Sequence, residues 1–122
     1  MRYFVTIVID PEYDAETTPV PAAVSDGVEP WVEKHLATGS LISTGGLHRS
    51  RTTTRIDGHG GKIVVTDGPF AEAKEVLGGY AVLECPSQEA AVAIAEEFVK
   101  FHVDNGMPCI CDVREFQGGY NI

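Results

Sequence analysis

The chain has 122 residues, 43% hydrophobic and 22% charged, which fits one folded globular domain and excludes an intrinsically disordered chain. Its 18 acidic residues against 9 basic ones give a formal net charge of -9, which disfavours phosphate backbones and anionic lipid, so neither nucleic acid nor membrane is an expected partner. No apolar run approaches bilayer length, Met1-Arg2-Tyr3 opens directly into a strand pattern without a signal-peptide core, and three cysteines make no disulfide framework; a cytoplasmic location is expected.

Residues 3–9 predict a strand apolar on both faces, Tyr3, Val5, Ile7 and Ile9 alternating with Phe4 and Val8. One face would lie under helices, and the other needs a second layer that a partner subunit can supply. Pro11, Pro19 and Pro21, set among acids and threonines, predict an irregular surface connection over Asp10 to Ser25, long enough to serve as a lid. Asp26-Gly27-Val28-Glu29 has capping-box spacing, and Val28, Trp31, Val32, His35 and Leu36 then predict a helix that Gly39 stops.

A second strand is expected over Leu41 to Gly46. Residues 52–56 and 62–66 predict a hairpin around the glycine-rich Asp57-Gly58-His59-Gly60-Gly61, and Gly78 to Glu84 a further strand. Pro86 and Ser87 open a second helix, with Ala91, Ile94, Ala95, Phe98 and Phe101 on one stripe. Cys109 to Phe116 reads as the last strand. The order is a ferredoxin-like βαββαβ plan of α+β class with one extra hairpin, a single domain over residues 1–117 and a short tail at 118–122.

Few residues point to chemistry. The stretch 57–63 resembles a phosphate loop only superficially, because Ile56 and Ile63 stand where a glycine and a metal-binding hydroxyl belong; a tight turn accounts for the glycines. Cys109 and Cys111 share a strand face and Cys85 ends another strand, but without a second dyad these read as packed thiols, and no metal site is expected. Among the histidines, His35 lies on an apolar helix stripe and His59 in an exposed turn. His48, at a strand end, and His102, at a helix end whose dipole would favour a cation, are the better acid/base candidates.

The most specific feature is the stretch Asp67 to Tyr80. Pro69 stiffens the turn and the Asp67 carboxylate is placed to accept backbone N–H groups. Glu72, Lys74 and Glu75 then put three charges into a short segment that Gly78-Gly79 is expected to end. Two readings stand side by side: Asp67 caps the turn while Phe70 plugs the core and the charges form a solvated face, or the segment is an acid and base cluster at the mouth of a cleft.

Val65-Thr66-Asp67-Gly68-Pro69-Phe70-Ala71-Glu72-Ala73-Lys74-Glu75-Val76-Leu77-Gly78-Gly79-Tyr80 resembles the signature of the DGPF branch of YCII-related proteins. Gly45-Gly46-Leu47-His48, Phe98 with His102, and Cys111-Asp112-Val113-Arg114 extend the resemblance more loosely. It implies a dimeric α+β barrel, in which two ferredoxin-like subunits pack sheet to sheet, with a small-molecule cleft in each. Read as an enzyme, the chain would use Asp67 to orient a base and His48 or His102 to shuttle a proton, with Lys74, Glu75, Glu72, Tyr80 and Arg114 as ligand contacts, and would need no cofactor. The resemblance carries an alternative role as well: a non-catalytic accessory or sensor dimer that partners an extracytoplasmic sigma factor.

Overall fold

A computed structural model of the chain describes residues 1–70 and 75–119. Its centre is a four-stranded antiparallel sheet in the order β2-β5-β1-β6, built from β1 (Arg2–Ile9), β2 (Leu41–Gly46), β5 (Val76–Glu84) and β6 (Cys109–Glu115). Helices α2 (Ala22–Ala37) and α3 (Gln88–Asp104) cover one face, and a separate two-stranded ribbon, β3 (Thr54–Asp57) with β4 (Val64–Asp67), is inserted between β2 and β5. This is the expected ferredoxin-like α+β architecture.

Strand alternation decides which side chains meet the helices. Tyr3, Val5 and Ile7 of β1 and Ala81 and Leu83 of β5 are buried with Trp31, Ile94 and Phe98 from the helices. Complete burial of a side chain such as Leu83 is worth about 1.5–3 kcal/mol, so this layer is the main source of stability. Ser87 caps α3 by accepting from the Ala90 N–H at 3.2 Å, and Trp31 ties the helices together by donating from Nε1 to the Ile94 carbonyl at 3.1 Å.

Three local expectations are corrected. The connection after β1 is not irregular throughout: Pro11–Asp14 forms a short helix, α1, whose Tyr13 is buried with Val24 and Met107 in a second small cluster. Helix α2 starts at Ala22, ahead of the capping box at Asp26, because Val24 has this cluster to fill and Ala22-Ala23 suit a first turn. Gly27 is then a point of close helix contact: a Cβ there would sit 2.9 Å from the Phe101 ring. Gly78-Gly79 does not end the charged segment: β5 already begins at Val76 and both glycines lie inside it, where a Cβ on Gly79 would come within 2.8 Å of the Gly45 carbonyl oxygen.

The opposite face of the sheet carries Phe4, Thr6 and Val8 of β1, paired with Arg114, Asp112 and Ile110 of β6. Phe4 is stacked parallel to Tyr80 at a centroid distance of 6.0 Å, and meets Phe116 edge-on at 6.1 Å. No helix among the described residues is long and apolar enough to cross a membrane.

Candidate functional site

Side chains from the stretch 47–55, with Phe70, Glu75 and the first residues of β5, line a cleft of about 660 Å³. Leu47 N–H donates to the Gly78 carbonyl at 2.9 Å, which keeps the first cleft residues in register with β5. A single turn of 3-10 helix follows at Ser50–Thr52. The Asp14 carboxylate of α1 clamps it, accepting from the Ser50 N–H at 2.7 Å and, in a second short contact, from the Ser50 hydroxyl. Glu16, in the left-handed region at φ 61°, pairs with Arg49 at 3.5 Å and Arg51 at 3.4 Å. The stretch expected to act as a lid is therefore fastened to the rim of the cleft.

The Asp67–Phe70 turn closes the other side. Gly68 N–H donates to the Thr53 carbonyl at 2.7 Å, and a Cβ on Gly68 would lie 2.6 Å from the Ser50 carbonyl oxygen, so only glycine lets the two backbones approach this closely. The Gly68–Pro69 peptide is cis. Phe70 joins neither buried cluster; its half-buried ring lies in the cleft wall with the Arg55 guanidinium over its face, 3.7 Å from the centroid.

The lining divides by chemistry. Leu47, Phe70, Val76 and Leu77 give an apolar surface, while His48, Arg55 and Glu75 bring an imidazole, a cation and a carboxylate, and Ser50, Thr52 and Thr53 add hydroxyl-bearing residues. His48 and Glu75, both singled out from the sequence, are thus brought together in one cavity.

The other sequence candidates lie elsewhere. Cross-strand partners share a face, and the register pairs Thr54 with Asp67 and Arg55 with Thr66. Asp67 consequently stands on the face of the ribbon opposite Arg55, and among the described residues its side-chain hydrogen bond is to the Thr54 hydroxyl at 3.0 Å, not to a histidine. His102 is buried beside Phe98 and Phe101 and donates from Nδ1 to the Phe98 carbonyl at 2.7 Å. Burial pushes its pKa below the ordinary 6.5, against the raising effect of that hydrogen bond, so desolvation outweighs the helix-end preference for a cation. Tyr80 and Arg114 lie on the uncovered sheet face, with the Tyr80 hydroxyl 3.0 Å from Ser43 Oγ. Glu72 and Lys74 fall outside the described residues.

Two contributors went unnoticed in the sequence. Arg55 looks there like one of several cations alternating with threonines, and only the ribbon register shows which face it takes. Asp14 acts over 36 positions in sequence, which no local pattern reveals.

The cysteines divide into two places. Cys85 is buried in the main core; Cys109 and Cys111 share one face of β6, half-buried, with thiols in hydrogen-bond contact that holds Cys109 below and Cys111 above the ordinary thiol pKa. Among the described residues no three metal-ligating side chains gather. The glycine-rich stretch is a tight turn, with Gly60 and Gly61 at φ 71° and 73° and the Asp57 carboxylate accepting from the His59 N–H at 2.9 Å.

Fold and cleft together define a small ferredoxin-like α+β domain with an inserted ribbon and a mixed polar and apolar cavity beside it. A family model, the YCII-related domain, matches residues 1–117, and the chain belongs to that family. No curated protein matches the chain closely in sequence.

Proposed function

We propose that this YCII-related protein, of the DGPF type, binds a small organic molecule with a polar or anionic head and an apolar body in the cleft between the Ser50–Thr52 turn and the Asp67–Phe70 turn. The observation that carries the reading is the convergence of His48, Glu75 and Arg55 with an apolar lining in one cavity of suitable size. Leu47, Phe70 and Leu77 take the apolar body. Arg55, seated over the Phe70 ring, supplies positive charge, and the threonine hydroxyls orient the head. His48 and Glu75 are a base and an acid that move a proton on the bound molecule, chemistry that needs no cofactor. Asp67, on the far face of the ribbon, holds the turn through Thr54.

The working form in this reading is a cytoplasmic homodimer whose uncovered sheet faces pack on each other. Phe4, Val8, Tyr80 and Ile110 support it, since an apolar sheet face needs a second layer.

A thermal-shift screen with small organic acids and aromatic acids tests the proposal. Ligands that raise Tm for the unmodified protein are expected to lose the effect in His48→Ala and Glu75→Gln, and hits should then be assayed for turnover. Binding without turnover makes the cleft a sensor site. If no ligand of these classes raises Tm, the reading fails.

A further inference from the structure

We propose that Cys109 and Cys111 together hold one soft, two-coordinate cation, of the class that monovalent copper represents, at the outer edge of the sheet. Neither cysteine lines the cleft, so this site is separate from the one proposed above and does not rest on it.

Strand geometry sets the two sulfurs side by side. Cys109 and Cys111 are two apart in β6 and so point to the same face, packed against the main core, where Cys109 is paired with Ile9 and Cys111 with Ile7 of β1. Their thiols are free, half-buried and in hydrogen-bond contact with each other. β6 is an outer strand of the sheet, which leaves the pair partly open to solvent. Cys85, by contrast, is buried in the core.

A direct disulfide suits this geometry poorly. Residues two apart in an extended strand have α-carbons about 6.6 Å apart. That is at the upper limit of the roughly 4.4–6.8 Å that a disulfide spans, and the pairing of both residues with β1 resists contraction. An ion seated between the sulfurs needs no contraction, because it bridges them with two bonds of about 2.3 Å, the length of a zinc–sulfur bond.

Charge favours a cation over a nucleophilic role. Reactive cysteines sit beside cationic groups, whereas the charged side chains that act on this pair are Asp10, on Cys109, and Asp112, on Cys111. The chain around them carries a net -9. Donor number and softness then choose among cations. Among the described residues no third histidine, cysteine, aspartate or glutamate joins the pair, which falls short of the four ligands of a closed zinc site. Sulfur donors alone select monovalent copper. Ile7 and Ile9, the cross-strand neighbours, give the site an apolar side that limits the water available to complete a larger shell. On binding, two copper–sulfur bonds form and the thiol protons leave to solvent; no electron is transferred.

Anaerobic titration of the reduced protein with copper(I), held by a coloured competing chelator, tests the site. One ion per chain is expected for the unmodified protein and for Cys85→Ala, with affinity at least about a hundredfold weaker in Cys109→Ser and in Cys111→Ser. Serine is close to cysteine in size, and circular dichroism checks that each variant is folded. X-ray absorption at the copper edge is expected to show two sulfur neighbours, and zinc(II) is expected not to displace the copper. The proposal is overturned if the unmodified protein takes up no copper(I), if either single serine variant binds as tightly as the unmodified protein, or if zinc(II) competes on equal terms. Half an ion per chain also overturns it, since the ion would then bridge two chains.

Discussion

The Arg55 guanidinium lies over the Phe70 ring, 3.7 Å from its centroid, and so links the third strand to the turn that follows the fourth. The contact fixes a flexible cation as part of the cleft wall. Phe70→Leu keeps much of the apolar volume and removes the ring face. It is expected to lower unfolding free energy by about 0.5–1 kcal/mol, the scale of an accessible cation–π pair, and to weaken anionic ligands more than neutral ones. Phe70→Tyr should restore both, as read by urea denaturation and titration.

Gly68 is a steric requirement. Its absent side chain lets the turn approach the Ser50 carbonyl, and an added methyl would lie 2.6 Å from that oxygen. Gly68→Ala must move one backbone or the other, at a cost expected to be about 1–3 kcal/mol, typical of overpacking. A variant with an unchanged denaturation midpoint would show that the two turns are not held together.

Asp14 ties α1 to the cleft rim through the Ser50 amide and hydroxyl. Asp14→Ala leaves both donors without their charged partner, and a loss of about 1.5–3 kcal/mol is expected for hydrogen bonds to a charged group. Limited proteolysis should find new cleavage between residues 10 and 20, and ligand affinity should fall although Asp14 is not among the cleft-lining residues.

His102 sets a pH dependence. Burial holds its folded-state pKa below the ordinary 6.5, so below that pH the unfolded chain binds more protons than the folded one. Its favourable contribution is complete above about pH 6.5 and is lost as the pH falls towards the folded-state value. His102→Gln is expected to flatten the fall in urea midpoint as the pH drops below 6.5. Glu84 acts in a lower window: hydrogen bonds from the N-terminal amine and Arg2 hold its pKa below 4.5, and its contribution fades only as the pH drops beneath that.

The sequence pattern specified the sheet and both long helices, because each buries one face against a common core and the period of the apolar residues reports that face directly. The stripe Ala91, Ile94, Ala95 and Phe98 is the plainest case. It misplaced the start of α2 because Asp26-Gly27 looks like a helix entry, whereas the small residue is there for Phe101, which lies 74 positions away. The site was legible in part. His48 and Glu75 stand beside recognisable turns and do share a cavity. The position of Asp67 could not be read from its motif, since the pairing of Thr54 with Asp67 decides which face of the ribbon each residue takes. His102 looked available for proton transfer because helical spacing does not say which neighbours close over a ring; Phe98 and Phe101 do.

The central claim is that the cleft around His48 and Glu75, and not the motif aspartate, is where a small molecule binds. Two-dimensional NMR titration of a thermal-shift hit against the unmodified protein, Asp67→Asn and the pair His48→Ala with Glu75→Gln tests it most directly. The account predicts shifts confined to His48, Thr53, Arg55, Glu75 and Leu77, affinity within about twofold for Asp67→Asn, and at least about tenfold weaker binding for the double variant. Shifts centred on Tyr80 and Arg114, or binding abolished by Asp67→Asn and untouched by the double variant, would contradict it.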